Sequence, residues 1–385
     1  MDVIRNLTLV TALVVQLSSF ADPKFHPMKL AILDNRWTTF ACSLRCLSLR
    51  TPLEDLAVII PRDIKFLQLE KFDLNISIAY RSSDVDGLMR EIILPFLTSH
   101  KDTLKFLILN AKENFNLSPF LKEIPHIPRL SGFGLSQIFT SSDPTALSGH
   151  HRFLQTHQSH LLDLNIKFTP WHSLCPTTET GFTQAWCHVR LPSLRSLSLT
   201  LPQYLEHDPR GATPYLLQYT QTLTTLSLKP CRFSYEAVSI LLPELGAGVL
   251  RTLELFVSAM SPDLLQLFAR HMPNLYSLKL NAKYYSPEKD IRVAAAELRV
   301  LTSRVCCLSL YNVAICVAEY LIFLWKFCQA MKLVCFADWK LHSFQFDTLI
   351  KLYPDELLLA MEAALPRVQS FCGLPRSDRV LPTSE

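Results

Sequence analysis

A six-residue phrase, apolar-x-x-apolar-x-apolar, returns along this chain and constrains its fold more than any other feature. "LPSLRSLSLT" at 191–200 carries one copy, and "QTLTTLSLKP" (221–230), "VLRTLELFVS" (249–258) and "PNLYSLKLNA" (273–282) carry three more. Copies begin at Ile4, Leu44, Ile64, Leu104, Leu130, Leu161, Leu194, Leu223, Leu250, Leu275 and Val305, and a degenerate copy, Val368 to Phe371, lies in "LPRVQSFCGLP". Most intervals fall between 25 and 33 residues, the length of one strand, one helix and two connections. Alternation within the phrase is the period of a strand with one buried face. A repeat of this size cannot bury its leucines alone, so copies must stack on their neighbours into one extended core.

The segments between copies carry helix signals. In "SPDLLQLFARHMPN", Ser261 is a cap, Pro262 suits the first helical position and Asp263 the positive helix end, with Leu264, Leu267, Phe268 and His271 on one side. "SYEAVSILLPEL" repeats the design with Ser234 as cap and Val238, Leu241, Leu242 and Leu245 on one stripe, and "SPEKDIRVAAAELRVL" at 286–301 is a third. A proline precedes the strand by the same short step in "EIPHIPRLSGFGL" and "HMPNLYSLKL". Strands alternating with helices require parallel strands joined by right-handed crossovers.

The pattern resembles the leucine-rich repeat, consensus L-x-x-L-x-L-x-x-N/C-x-L, from residue 4 to about 372. The resemblance implies an α/β horseshoe with a concave parallel sheet and outer helices. It implies a single solenoid over 1–372, with strands near 4, 44, 64, 104, 130, 161, 194, 223, 250, 275, 305 and 368, and a disordered tail at 373–385. The consensus Asn or Cys three places after the last leucine occurs only as Cys231, so no continuous asparagine ladder is expected. Irregular repeats of this kind resemble those of fungal F-box/leucine-rich-repeat proteins, which implies substrate recognition beside a ubiquitin-ligase adaptor. The F-box itself is not found. The first phrase at Ile4 leaves no room upstream. The one similar string, "LYPDELLLAMEAALP" at 352–366, has Tyr353 interrupting the Leu-Pro opening and reads as the outer helix of a last repeat.

Composition narrows the alternatives. Lys plus Arg exceeds Asp plus Glu by 38 to 34, a net charge of +4 with no basic run, so a nucleic-acid partner is not expected. Nine glycines against twenty-four prolines disfavour phosphate loops. No G-x-S-x-G, phosphate-loop or H-E-x-x-H motif is present, and the chain reads as non-catalytic, with no cofactor. An enzyme held in the 140–190 insertion is the competing reading, because "GHHRFLQTHQSH" sets His150, His157 and His160 at helical spacing. That trio is either a metal site or part of a solvent-exposed outer helix. Eleven cysteines, an odd number without a C-x-x-C pair and several in apolar runs, point to buried thiols in a reducing, intracellular compartment, cytoplasmic or nuclear. Cys42 with Cys46, and the vicinal Cys306–Cys307, are the alternatives as metal ligands or redox thiols.

The amino terminus carries the case for secretion. Arg5, the apolar stretch from Leu7 to Leu17 and Ser19-Phe20-Ala21 fit a signal peptide cleaved near Ala21, which would make the chain a secreted repeat receptor. The rival is a repeat strand followed by the start of its outer segment. The run at 313–328 is short and contains Glu319, so no membrane span is expected there.

Positions three, five and seven of each phrase point away from the core. The candidate protein-binding face is therefore Asn165, Lys167, Ser198, Ser227, Lys229, Glu254, Phe256, Lys279, Asn281, Ser309 and Tyr311. Small polar groups with a few aromatic anchors suit a protein or peptide ligand.

Overall fold

The computed structural model describes residues 10–16, 37–60, 64–77, 84–111, 115–139, 147–170, 189–200, 213–260, 262–285, 307–311, 343–346, 370–371 and 374–375. The chain divides into two compact units, Met1–Thr200 and Leu201–Glu385.

Unit 1 is an α/β array around an open parallel sheet. Its strands are β1 (Ala12–Gln16), β2 (Cys46–Pro52), β3 (Lys71–Ser77), β4 (Phe106–Ala111), β5 (Gly132–Phe139), β6 (Asp163–Pro170) and β7 (Ser196–Thr200), each parallel to the one before in chain order. Between them lie α1 (Trp37–Phe40), α2 (Leu53–Ile59), α3 (Val85–Leu88), α4 (Leu94–His100), α5 (Ser118–Glu123) and α6 (Ser148–His157). A π-helical turn, Met89–Ile93, joins α3 to α4. Pro95 explains it: a proline lacks the N–H and its ring collides with the carbonyl four residues back, here Glu91, so the backbone widens there.

Unit 2 repeats the scheme with α7 (Thr213–Leu217), β8 (Thr225–Phe233), α8 (Tyr235–Gly246), β9 (Thr252–Met260), α9 (Pro262–His271) and β10 (Ser277–Tyr285). β11 (Cys307–Tyr311), β12 (Ser343–Phe346), β13 (Ser370–Phe371) and β14 (Leu374–Pro375) follow. β8 to β13 are parallel neighbours in chain order, and β14 is antiparallel to β13. Ser234 caps α8 as its sequence requires, its Oγ accepting from the Ala237 N–H at 3.2 Å.

One backbone device sets the strand register within each unit. The carbonyl just before each strand accepts two N–H groups from the start of the next repeat. Arg45 O takes Glu70 N and Lys71 N at 2.8 and 2.9 Å, and Glu70 O takes Lys105 N and Phe106 N at 2.7 and 2.9 Å. Thr224 O takes Arg251 N and Thr252 N, both at 2.9 Å. Two lone pairs on one carbonyl satisfy two donors that strand entry would otherwise orphan.

The register lines up the phrase's fourth position: Leu47, Phe72, Leu107, Phe133, Leu164 and Leu197 in unit 1, Leu226, Leu253 and Leu278 in unit 2. All are at most 3% exposed. Each such side chain contributes about 1.5–3 kcal/mol by leaving water. In unit 1 an aromatic seam fills the space between sheet and helices, with ring centroids 5.5 Å apart for Trp37–Phe66, 4.8 Å for Phe72–Phe96 and 4.4 Å for Phe96–His100.

Several strand expectations change. The copy at Ile64, "IKFLQL", is not a strand; the strand begins at Lys71 and uses the overlapping frame "LEKFDL". Burial decides between them: Leu67, which the first frame needs inside, is 58% exposed, while Leu69, Phe72 and Leu74 are fully buried. The copy at Ile4 lies outside the described residues, and the first described strand, β1, uses Leu13 and Val15 opposite Leu47 and Leu49. β12, built on Phe344 and Phe346 of "LHSFQF", is a strand that was not among the expected copies. Leu374–Pro375, inside the expected disordered tail, forms β14. With these frames the long and short early intervals even out, Leu13 to Leu47 being 34 residues, Leu47 to Phe72 25 and Phe72 to Leu107 35. The helix expected over 286–301 and the runs at 313–328 and 352–366 fall outside the described residues.

Candidate functional site

The outward strand face in each unit is a set of rows, since strand register places equivalent positions side by side. In unit 1 the middle row runs Val14, Ser48, Asp73, Ile108, Gly134, Asn165, Ser198. Asp73 is its electrostatic centre, accepting from Ser48 Oγ and from Asn110 Nδ2, each at 3.2 Å. At the rim, Lys105 Nζ lies 2.8 Å from Glu70 Oε1, and that ammonium holds the Glu70 carboxyl below its usual range.

Two glycines shape the centre of this face. A Cβ at Gly132 would stand 2.2 Å from the Phe106 ring, and one at Gly134 3.2 Å from Ile108. Glycine is what lets the Phe106 ring lie flat over the adjacent strand while staying 37% exposed. An aromatic anchor beside an aliphatic one, ringed by Asp73, Asn110, Ser136 and Asn165, is the arrangement in which protein interfaces concentrate binding energy.

Unit 2 repeats the carboxylate motif with a cation. Ser227 Oγ donates to Glu254 Oε2 at 2.8 Å, and Lys229 Nζ pairs with Glu254 Oε1 at 2.8 Å. The strand makes this possible by bulging: Leu228 faces Leu255, but Arg232 and not Lys229 faces Phe256. The extra residues free Lys229 to swing onto Glu254.

The expected face residues distribute as follows. Asn165 and Lys167 are exposed and Ser198 is half-buried on unit 1. Glu254, Phe256, Lys279, Asn281 and Lys229 are half-buried on unit 2, and Ser227 is 8% exposed beneath Glu254. Lys229 is corrected out of its row by the bulge. Ser309 and Tyr311 stand on β11 in register with Lys279 and Asn281, and their side chains are outside the description. Asp73, Phe106 and Gly132 were not among the expected residues. The mistaken frame at Ile64 hid Asp73, and the Phe106–Gly132 contact spans two strands.

The histidine segment is corrected on both of its readings. His150 and His157 are each 1% exposed, so α6 does not present them to solvent, and His160 stands apart in the exposed turn. His157 Nε2 accepts from the Ile127 N–H at 3.0 Å while Nδ1 bonds Phe153 O at 2.8 Å; His150 Nε2 bonds Gln137 Oε1 at 3.2 Å. Both His157 nitrogens are thereby taken, and His150 keeps only Nδ1 for any further bond. Among the described residues no three His, Cys, Asp or Glu are grouped to hold a metal ion. Desolvation lowers His157 to about 4 and His150 to about 3. His100 repeats the His157 device, its Nε2 accepting from Phe66 N–H at 2.9 Å, and burial lowers its pKa too. Cys42 and Cys46 are free thiols. No helix among the described residues is long and apolar enough to cross a membrane.

The chain matches no protein-family model and no curated protein.

Proposed function

We propose that this chain is a non-catalytic protein-binding array of the leucine-rich-repeat type, which takes a protein or peptide ligand on the outward sheet face. The observation that carries this reading is the seat made by Phe106 and Ile108 over Gly132 and Gly134, bordered by hydrogen-bonded Asp73. An exposed aromatic fixed by glycines has no role in the core, whose leucines are already buried. A ligand's apolar side chain finds there an exposed apolar platform with polar groups at its rim.

By analogy with F-box/leucine-rich-repeat proteins, the same face would select substrates beside a ubiquitin-ligase adaptor. Retention of the amino terminus is supported by β1, because cleavage near Ala21 would strip Ala12–Gln16 from the edge of β2. This favours the intracellular reading over the secreted one.

The test is affinity capture from the native cell with the full chain, run beside Phe106→Ala, Asp73→Lys and the helix-layer control Lys101→Gln. A partner that binds this face should lose about 2 kcal/mol, roughly thirtyfold in affinity, with Phe106→Ala, and should ignore Lys101→Gln. A partner held equally by all variants would sink the assignment of the face. Adaptor among the captured proteins would extend the analogy to ligase membership, and its absence would confine it to the fold.

A further inference from the structure

A cleft of about 630 Å³ opens on the helix layer of unit 1, and no strand residue lines it. Its polar lining is Arg90, Lys122, Glu123, His126, Arg152 and Thr156. The one carboxylate is already engaged: Arg90 Nη2 and Nε grip Glu123 Oε1 and Oε2 at 2.8 and 3.0 Å. Among the described residues, the side chains of Lys122, Arg152 and His126 make no hydrogen bond or ion pair. The cleft therefore keeps two uncompensated cations and an imidazole edge, in a chain whose charges otherwise nearly balance.

Their positions are set by packing. Gly149 lets α6 close on α5, since a Cβ there would stand 1.8 Å from Ser118 O, and Gly149 N–H donates to Ser118 Oγ at 2.8 Å. Lys122 is one turn along α5 from that contact, and Arg152 is one turn along α6. The two therefore flank the same groove. His126 lies against the buried His157, ring centroids 5.5 Å apart and nearly parallel at 16°, and His157 is itself fixed by Ile127 N–H and Phe153 O.

We propose that this cleft binds a phosphomonoester group, held by Arg152, Lys122 and His126. A guanidinium fork, a point ammonium and an imidazole lining one cleft match the three peripheral oxygens and near-double charge of a phosphate, where a carboxylate would leave one donor unused. The cleft size suits a phosphorylated side chain or a small phosphorylated molecule. The site shares no residue with the sheet face, so it stands or falls separately from the proposed function.

The experiment is calorimetric titration of the full chain with inorganic phosphate, a phosphoserine peptide and the same peptide unphosphorylated. It is repeated with Arg152→Gln, Lys122→Gln and the control Lys101→Gln. Phosphate-dependent binding should fall at least about tenfold, or about 1.4 kcal/mol, in each cleft variant and stay unchanged in the control, with the melting midpoint retained. A peptide preferred over inorganic phosphate assigns the group to a phosphorylated protein; equal affinity assigns it to a small molecule, and both support the site. Absence of binding by either phosphate probe would overturn it, as would cleft variants that bind like wild type or a control that weakens equally.

Discussion

The two units stack repeats by the same backbone rule but staple them with different side chains. Six residues before the strand, β2 to β7 of unit 1 have Phe40, Lys65, His100, His126, His157 and Arg190, while β8 to β10 of unit 2 have Tyr219, Gly246 and His271. In unit 1 the buried imidazoles of His100 and His157 accept a backbone N–H from the preceding repeat. Close glycine-to-carbonyl contact occurs in both units, a Cβ at Gly149 meeting Ser118 O at 1.8 Å and one at Gly246 meeting His271 O at 1.7 Å, so the imidazole acceptors are what set unit 1 apart. Unit 1 thus carries titratable groups in its repeat-to-repeat joints. Among its described residues, unit 2 holds no buried histidine. The difference teaches that one repeat geometry tolerates chemically unlike joints, and that those joints should respond differently to acid.

The largest expected effect comes from the glycines that close each joint. Gly149→Ala in unit 1 and Gly246→Ala in unit 2 each press a methyl into a carbonyl that belongs to the main chain, so no side chain can rotate away. Overpacking commonly costs about 1–3 kcal/mol, and these sites should lie at or above the top of that range. Peptide-resolved hydrogen exchange should show each variant loosening its own unit, around 85–157 for the first and 213–285 for the second. Uniform loosening of both units by either variant would break the comparison by showing a single cooperative array.

Acid should separate the units next. His157 titrates near 4 when folded, below its ordinary 6.5, so between those values the unfolded chain binds the extra proton. Its stabilising contribution is complete above about pH 6.5 and is lost as pH falls toward 4. Moving from pH 7 to 4.5 should cost unit 1 about 2–3 kcal/mol from this residue alone, with His150 adding in the same direction. His157→Ala should cost about 2 kcal/mol at pH 7, because it leaves the Ile127 N–H without its acceptor, and should flatten the acid response. Exchange rates corrected for intrinsic pH dependence would read both. Equal acid sensitivity in unit 2 would mean that other charges, and not these imidazoles, set the response.

How legible was this in the sequence? The strands were, wherever leucine filled all three core positions, because Leu194, Leu197 and Leu199 or Leu223, Leu226 and Leu228 admit one frame. "IKFLQLEKFDL" contains two frames five residues apart, and only burial of Phe72 and exposure of Leu67 choose between them. Phe344 and Phe346 belong to "LHSFQF" at 341–346, which fits the apolar phrase as it stands, so this strand too was legible in the sequence. The histidines carried a signal that was available: His150, Phe153, Leu154 and His157 form one i, i+3, i+4, i+7 stripe, which marks the buried side of α6. Spacing alone put the imidazoles on one face without saying which face was inside. The Phe106–Gly132 seat and the Lys122–Arg152 cleft were not readable at all, since each joins residues about thirty apart whose proximity is a product of register and helix packing.

The smallest effect sharpens the comparison at the surface. Glu70 and Lys105 pair across adjacent repeats of unit 1 with side chains about a third exposed, whereas Glu254 in unit 2 is 22% exposed and is gripped by both Lys229 and Ser227. Glu70→Gln keeps the Glu70 carbonyl that accepts two N–H groups, so only the ion pair is removed. An exposed pair contributes about 0–1 kcal/mol and is screened by salt. Because the folded Glu70 carboxyl is more acidic than usual, its contribution is present above the ordinary carboxylate pKa and is lost as pH falls from there through the lower folded value. Wild type and Glu70→Gln should therefore differ slightly at pH 7 in low salt and converge in molar salt and once acid has protonated the folded Glu70 carboxyl. Lys229→Gln should cost more and stay salt-resistant, since it leaves a half-buried carboxylate with a single hydroxyl donor. Denaturant midpoints of the two variants in low and high salt decide the point, and a larger loss for Glu70→Gln would reverse the assignment of which unit depends on its face charges.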